Sequence, residues 1–403
     1  MSTTVPDDVT ITTGGKIIGG WQAVRITRGI ERMPSDFDIA LTELYPGAAD
    51  QIVIQPGASC VVKLGADVVV TGYVDRYVPS ISARGHGVRI QGRGKCQDLV
   101  DCSAGFAANG TWSFQRNVTS ALSFAQELAK PFGITASLVG EEAGKPIPTL
   151  TINIGETPFE LLDRVSRYRQ LLAYEGADGN LILAQGSAAK AGSGFALGTN
   201  IEAATAPFTA DQRFSDYFVT WTSTDDLFQV RDETGGANGN LHGHATDPTV
   251  TRFRPRGIVS EQTDQGTDTG QRRAVWEMNR RNGRSQSISL TCDNWRDSAG
   301  ALWQPNTLAT VDAPILKLPG KTWLIVEVTY RRDENGTHAD LVLMPPDAFA
   351  LAPSSLQGRD WQVFEAEQAA KAAGKPGPAG PMNTNPAAAS SGTTVNLITP
   401  PDP

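Results

Sequence analysis

Hydrophobic and polar residues alternate over much of the first hundred positions, a pattern typical of β-strands with one buried face. In the segment Phe37–Thr42 we expect Phe37, Ile39 and Leu41 to point inward. Further apolar runs, separated by Gly, Pro and Asp turns, lie at Val68–Val70, Tyr73–Val78 and Val88–Ile90. Together these strands predict a small antiparallel barrel that closes near Gly92-Arg93.

The same arrangement recurs later in the chain. Ile288 follows Ile39 by 249 positions, and Gln304 follows Gln55 by the same 249. The second copy contains the segments Ile288–Thr291, Gln304-Pro305-Asn306, Trp323–Val328 and Leu341–Leu343. Two similar barrels on one chain indicate a part built for symmetry rather than for catalysis.

Between the two copies the pattern changes to mixed helix and strand. Apolar residues at i, i+3 and i+4 predict a helix over Ser120–Lys130. Thr157 as N-cap and Glu160 three residues later form a capping box for a second helix, whose buried stripe is Leu161, Leu162, Val165 and Tyr168. A hairpin around Asp178-Gly179 follows, and Ile152–Gln185 resembles a LysM module in outline.

The chain after this region predicts a joint and a second barrel. Ser187–Thr209 is rich in Gly, Ala and Ser and predicts a joint, while Phe214–Trp221 is expected to open the second barrel. Asp225–Thr249 is polar and Gly-rich, which predicts a long loop. A helix around Ala274–Arg281 is expected to end at Asn282-Gly283 with a left-handed cap.

The end of the chain has a different composition. Arg359–Ala373 predicts a short helix, and from Gly374 onward the residues are mostly Pro, Gly, Ala, Ser and Thr. Such a segment cannot bury a core of its own, so we expect an extended tail that lies against a partner.

The fold class predicted from these patterns is α+β, mainly β, with two tube-like antiparallel β-barrels, an inserted α/β region resembling LysM and an extended C-terminal tail. The expected domains are the first barrel at 1–103, the middle domain at 104–210, the second barrel with a long loop and helix insertion at 211–350, and the helix and tail at 351–403.

Composition narrows the possible functions. The formal net charge of −8 argues against a surface that grips nucleic acid, although DNA could pass nearby. Four scattered cysteines without a CxxC pair favour free thiols in a reducing cytosol over a zinc site. The polar N-terminus does not resemble a signal peptide, and no window approaches the ~20 apolar residues of a membrane span. We therefore expect synthesis in a cytoplasm.

Candidate chemistry is sparse. His242 and His244 could share a metal ion but lack a third ligand nearby, so a surface loop is favoured. The sequence has no nucleophile elbow and no phosphate-binding P-loop. A glycosidase carboxylate pair remains an alternative, because its two members need only meet in space. We predict no catalytic, cofactor-binding or metal-binding residues.

Arginines cluster at Arg252–Arg256, Arg272-Arg273 and Arg280–Arg284. Two interpretations are open: a grip on nucleic acid, or ion pairs with an acidic partner surface or with the chain's own acidic residues across subunits. The net charge of −8 favours the second interpretation.

An ordered succession of short segments resembles the baseplate hub proteins of Mu-like contractile-tailed bacteriophages. The similarity covers about residues 9–350, and no single segment is specific. The segments are Gly19–Arg32, Phe37–Thr42, Gln55–Gly57, Gly72–Asp75, Gly92-Arg93, Asp98–Ser103, Pro131–Ile134, Gly155–Thr157, Arg252–Pro255, Trp276-Glu277, Leu302–Asn306 and Pro345–Phe349.

This resemblance implies a virion protein assembled in the host cytoplasm. It implies a ring-shaped homotrimer without catalytic residues, whose six barrels adapt a hexameric tail tube to a trimeric central spike. The implied partners are the tail tube protein, the central spike and other baseplate proteins, without specific nucleic-acid binding or membrane insertion. The alternative function is a glycan-binding or cell-wall-degrading tail component that acts through Ile152–Gln185.

Overall fold

The computed structural model is mainly β, as the alternating pattern predicted. It describes residues 8–42, 54–82, 85–105, 115–142, 147–186, 189–220, 243–259 and 267–349. The described residues all belong to one compact unit, Met1–Gln357. The predicted helix and tail at 351–403 lie outside the described residues.

Seven strands form the first repeat, and Phe37, Ile39 and Leu41 are buried as predicted. The strands are β1 (Val9–Thr13), β2 (Lys16–Ile18), β3 (Ala23–Gly29), β4 (Asp36–Thr42), β5 (Ser59–Leu64), β6 (Asp67–Ser82) and β7 (Gly85–Gly94). In the sheet they follow the order β3-β4-β7-β6-β5-β1-β2.

The middle region contains three helices and five strands. They are α1 (Gln97–Asp101), β8 (Gln115–Val118), α2 (Ala121–Ala129), β9 (Ala136–Val139), β10 (Ile147–Thr151), α3 (Pro158–Arg169), β11 (Leu172–Glu175) and β12 (Leu181–Ala184). β10 pairs with β8, whereas the hairpin β11–β12 pairs with β9. The predicted helix and hairpin are confirmed, and the likeness to LysM stays a prediction.

The capping box of α3 is present as predicted. The Glu160 N–H donates to Thr157 Oγ1 at 3.2 Å, and the Thr157 N–H donates to Glu160 Oε2 at 2.8 Å. Leu161, Leu162 and Val165 are buried. The side chain of Tyr168, the fourth predicted member of the stripe, is outside the described part of the structure.

Nine strands and one long helix follow in the described part of the chain beyond residue 188. They are β13 (Phe195–Ala196), β14 (Ile201–Thr205), β15 (Asp216–Thr220), β16 (Gly243–Thr246), β17 (Pro255–Val259), α4 (Thr267–Arg284), β18 (Ile288–Cys292), β19 (Thr307–Ala313), β20 (Leu318–Asp333) and β21 (Gly336–Met344).

Four local predictions for this part were wrong. The segment interpreted as a joint contributes β13 and β14 to the main sheet. The strand expected to open the second barrel, β15, instead pairs with β16 and β17 in a separate sheet. The end of the predicted long loop forms β16, whereas residues 225–242 are outside the described structure. The long helix α4 continues through Asn282-Gly283 and ends at Arg284.

The sequence repeat corresponds to a repeat of strand order. Strands β4-β7-β6-β5 of the first copy and β18-β21-β20-β19 of the second are arranged alike. Within the described residues, both copies lie in one thirteen-stranded sheet, joined by the antiparallel pair β3–β20. One hydrophobic cluster, which includes Val9, Ile39, Ile288 and Leu343, extends through both copies.

Candidate assembly surface

The two repeats agree down to single backbone hydrogen bonds. The Gly57 N–H donates to the Val74 oxygen at 2.7 Å, and the Asn306 N–H donates to the Ile325 oxygen at 2.8 Å. Gly57 has φ 83° and Asn306 has φ 62°, a region that glycine and asparagine tolerate best. The motifs Gln-Pro-Gly and Gln-Pro-Asn therefore mark the same left-handed turn.

Each long strand also has a register irregularity at the matching place. The pairing of β6 with β7 shifts between Val74 and Arg76, and that of β20 with β21 shifts between Ile325 and Glu327. Such bulges bend a strand and increase its twist. The first half of β6 pairs with β5, and the first half of β20 pairs with β19. Beyond the bulge, neither strand pairs with that neighbour.

In the second repeat, the far half of β20 is covered by the first repeat of the same chain. The β3–β20 junction runs from Gly29 opposite Glu327 to Val24 opposite Arg332. The Ile30 N–H extends the ladder by donating to the Val326 oxygen at 2.9 Å.

Side chains pack across both faces of this β3–β20 junction. On the inner face, Val24, Ile26, Val328 and Tyr330 are buried. On the other face, the Thr27 and Thr329 hydroxyls lie 3.1 Å apart. Arg32 adds a salt bridge to Glu327 at 3.1 Å. The β3–β20 junction is therefore a complete interface between two similar units.

In the first repeat, the matching half of β6 has no such cover among the described residues. β5 pairs with β6 only over Asp67–Tyr73, and no described strand pairs with the same edge beyond that point. Residues 76–81 form this part of β6. Within it Val78 is 44% exposed and Ile81 is 85% exposed, whereas the matching positions of β20 are covered.

Among the described strands, β14 lies at one end of the main sheet. Thr205 lies opposite Ser289 of β18. Beyond it the chain continues antiparallel to the residues that precede β18, with Phe208 opposite Gln286. The Thr209 N–H donates to the Ser285 oxygen, in the segment before β18, at 2.9 Å. Because successive backbone groups alternate in direction, the N–H and C=O groups of residues 208 and 210 face away from it. We call residues 206–211 the β14 extension.

Of the two candidate metal ligands, the structure describes only His244. His242 is outside the described residues, and His244 Nε2 lies 2.9 Å from Asp216 Oδ1. The His244 ring stacks on Phe218 at 4.6 Å. Within the described ranges, no group of three His, Cys, Asp or Glu residues is placed to hold a metal ion.

The described cysteines are free and poorly suited to act as nucleophiles. Burial raises the pKa of Cys60 to about 12 and that of Cys292 to about 11. Burial also raises the pKa of Cys96 and Cys102. All four thiols therefore remain protonated at neutral pH.

Four of the clustered arginines form ion pairs with acidic residues of the same chain. Arg280 and Arg284 bind Glu31 at 2.5 and 3.3 Å, and Arg273 and Arg281 bind Glu277 at 2.7 and 3.2 Å. The four arginines and Glu277 line a groove of about 510 Å³, together with Asp163 and Arg167 of α3. These four arginines are thus paired within the chain, while ion pairs with a partner or across subunits stay a prediction.

Comparison with known proteins identifies the family. The family model described as "Mu phage baseplate assembly protein GpP-like, N-terminal" matches residues 8–94, and "Baseplate hub protein gp44-like, second domain" matches residues 96–185. "Mu phage baseplate assembly protein GpP, fourth domain" matches residues 266–352. The baseplate hub protein gp44 of Escherichia phage Mu is 30% identical over 352 residues, covering 86% of this chain and 90% of gp44.

The chain belongs to the baseplate hub proteins of Mu-like phages. It is a structural protein of the tail baseplate, and its location is the virion. The resemblance drawn from short sequence segments is thereby confirmed. No described helix is both long and apolar enough to cross a membrane.

Solved structures support the same fold. The 43 kDa tail protein of prophage MuSo2 from Shewanella oneidensis is 32% identical, with a TM-score of 0.72, and the match covers 85% of this chain and 99% of that one. The tail protein from Neisseria meningitidis MC58 has a TM-score of 0.67 at 21% identity, with 85% and 99% coverage, which shows a shared fold.

Proposed function

We propose that three copies of this hub protein form a ring whose six barrel-like repeats adapt a hexameric tail tube to a trimeric central spike. The observation that carries the proposal is the β3–β20 junction, which places two repeats with the same strand order side by side in one sheet. Three chains would supply six such repeats, and closed point-group symmetry is the usual arrangement of homo-oligomers.

In this proposal each repeat closes into a tube-like barrel, and the chain keeps the predicted division at 1–103, 104–210, 211–350 and 351–403. Support comes from the shared hydrophobic cluster and from the bulges of β6 and β20, which curve both copies alike. The middle region attaches to the first repeat through Glu175, which accepts hydrogen bonds from the Ser35 and Cys96 N–H groups at 2.8 Å each.

The partners in the proposal are the tail tube protein, the central spike and other baseplate proteins. The relatives named above are a baseplate hub protein and tail proteins, which agrees with partners of this kind. A net charge of −8 favours a lumen that lets DNA pass without binding it. In this function the protein is not an enzyme and needs no cofactor.

The alternative, glycan binding or cell-wall degradation through Ile152–Gln185, has less support. In that stretch Leu161, Leu162 and Val165 of α3 pack in the same hydrophobic cluster as Leu181 and Leu183 of β12. The apolar face of the helix is therefore used to cover its own hairpin. Retention on purified peptidoglycan, or a clearing zone in a zymogram, would revive this alternative.

The experiment that tests the ring is a measurement of molar mass in solution, followed by electron microscopy. We expect a mass three times that of the 42.9 kDa chain and particle images with six similar lobes around a centre. A protein that stays monomeric at high micromolar concentration would contradict the proposal.

A further inference from the structure

We infer that Arg252, Phe253, Arg254 and Arg256 form a docking surface for an acidic segment of another baseplate protein, one that carries an apolar side chain among its carboxylates. We call these four residues the basic strip. The strip leads into β17, in the small sheet of β15, β16 and β17. It lies outside the thirteen-stranded sheet, so the inference does not depend on the proposed ring.

The charges of the basic strip are not balanced within the described part of the chain. Each of the four groove arginines in α4 meets Glu31 or Glu277. Arg252, Arg254 and Arg256, by contrast, have no carboxylate within salt-bridge distance among the described residues. In a chain with a net charge of −8, three positive charges without local counter-charges favour a partner that supplies carboxylates.

Stacking on Phe214 holds two of these arginines in place. The guanidinium carbons of Arg254 and Arg256 lie 5.3 and 5.6 Å from the centre of the Phe214 ring. Arg254 Nη2 also donates to the Asp211 oxygen of the β14 extension at 2.9 Å. A cation–π contact uses the flat face of a guanidinium and leaves N–H groups at its edge for a carboxylate. The strip is therefore preorganised, which lowers the entropic cost of binding a partner.

The apolar part of this surface is exposed. Phe253 is 80% exposed between two arginines, and Val259 at the end of β17 is 79% exposed. A Cβ at Gly257 would meet nothing within 4 Å, so β17 is open at that point as well. Aromatic residues and arginine are enriched in protein interfaces, whereas acidic residues are depleted there. An apolar side chain of the partner would cover Phe253 while neighbouring carboxylates meet the arginines.

Nucleic acid is the competing occupant, because it also combines negative charge with flat rings. Surfaces that bind single strands carry several aromatic side chains along a basic groove. In the described part of the chain, Phe253 is the only largely exposed aromatic residue. A protein segment with one apolar anchor fits this arrangement better.

Two synthetic peptides of equal length test recognition by the full-length protein. One is polyglutamate with a central tryptophan, and the other is polyglutamate with a central glycine. Binding is measured at about 0.15 M salt, where a Debye length of about 8 Å screens the distant acidic residues of the chain. We expect the tryptophan peptide to bind about fivefold more tightly than the glycine peptide, and Phe253→Ser to remove this difference.

Charge reversal tests the arginines. Arg252→Glu combined with Arg256→Glu should weaken binding of both peptides about tenfold, because attraction is replaced by repulsion. Lys16→Glu with Lys190→Glu is the matched control, since both lysines are exposed and the net charge changes equally, and binding should change less than about twofold. Circular dichroism spectra of all variants should match the wild type. Equal effects of the two double variants, no binding of either peptide, or a tryptophan preference that survives Phe253→Ser would overturn the inference.

Crosslinking in assembled tails identifies the occupant. Phe253 is replaced by the photo-crosslinker p-benzoylphenylalanine, and the crosslinked peptide is identified by mass spectrometry. We expect a peptide of another baseplate protein with more Asp and Glu than Lys and Arg. A crosslink to DNA, to a second copy of this chain, or to no protein would overturn the inference.

The outcomes separate this inference from the proposed ring. The strip variants should keep the molar mass of the wild type, because the basic strip lies outside the repeats. A strip variant that loses this mass would show that the strip contacts a second copy, which overturns the inference and leaves the ring intact. A wild type that is monomeric overturns the ring alone.

Discussion

Glu175 joins the middle region to the first repeat through a buried carboxylate. Its two oxygens accept the N–H groups of Ser35 and Cys96, which lie far apart in sequence. Burial raises the pKa of this carboxyl above its usual range, although the hydrogen bonds act in the opposite direction. The folded chain therefore binds a proton at Glu175 more tightly than the unfolded chain does.

This raised pKa predicts how stability depends on pH. The advantage of the wild type over Glu175→Gln, measured as a free energy of unfolding, should be largest below the unfolded pKa of about 4.3 and should decrease as pH rises through the folded pKa. Denaturant titrations of both proteins at several pH values between 4 and 8 measure this difference. An advantage that grows with pH would show that the carboxylate form is the favoured one.

Gly94 makes room for that carboxylate. A Cβ at Gly94 would lie 1.9 Å from Glu175 Oε2, and the hydrogen bonds hold Glu175 in place. Gly94→Ala should therefore lower the free energy of unfolding by about 1–3 kcal/mol. Gly19→Ala is the matched control, because its Cβ would meet nothing nearer than the Val9 oxygen at 3.5 Å, and it should change stability by only a few tenths of a kcal/mol, measured by denaturant titration.

At the scale of elements, the sequence correctly predicted features that depend only on residues close together in the chain. The Thr157–Glu160 capping box and the alternating strand of Phe37, Ile39 and Leu41 were predicted from sequence because hydrogen-bonding caps and period-2 burial are local. Glycines were less informative, because a glycine can serve a turn or a close packing contact, and the sequence does not distinguish the two.

Two wrong predictions have this cause. Gly283 was predicted to cap the helix, but it lies within α4. A Cβ there would lie 1.9 Å from the Ala348 Cβ, so this glycine lets α4 pack closely against Ala348. Gly194 lies in the segment predicted to be a joint, but a Cβ there would lie 2.1 Å from the Thr310 hydroxyl. Small residues in this stretch let β13 and its neighbours approach β19.

The α3 cap gives a prediction at this scale. Thr157→Ala removes the side-chain acceptor for the Glu160 N–H and should lower the free energy of unfolding by about 1 kcal/mol. Thr251→Ala, at an exposed position outside the helices, should have little effect. Thermal or denaturant unfolding followed by circular dichroism measures both, and equal losses would show that the cap contributes nothing specific.

At the scale of the whole molecule, the 249-residue repeat predicted two matching copies, and the structure shows that they share a strand order. It did not predict the β3–β20 junction, because an edge pairing between distant strands leaves no periodic signal in either strand. The small sheet of β15, β16 and β17 was also missed, since its strand β15 has the same composition as a barrel strand.

The β3–β20 junction has a further consequence for how copies would add to one another. A chain that pairs through two different edges forms a head-to-tail contact, and such contacts generate either a closed ring or an open filament according to the rotation at each step. In the proposed ring, every second step is the rotation at β3–β20, which is fixed within a single chain before any other copy binds. Assembly of the proposed ring then requires only one further kind of step, the contact between copies.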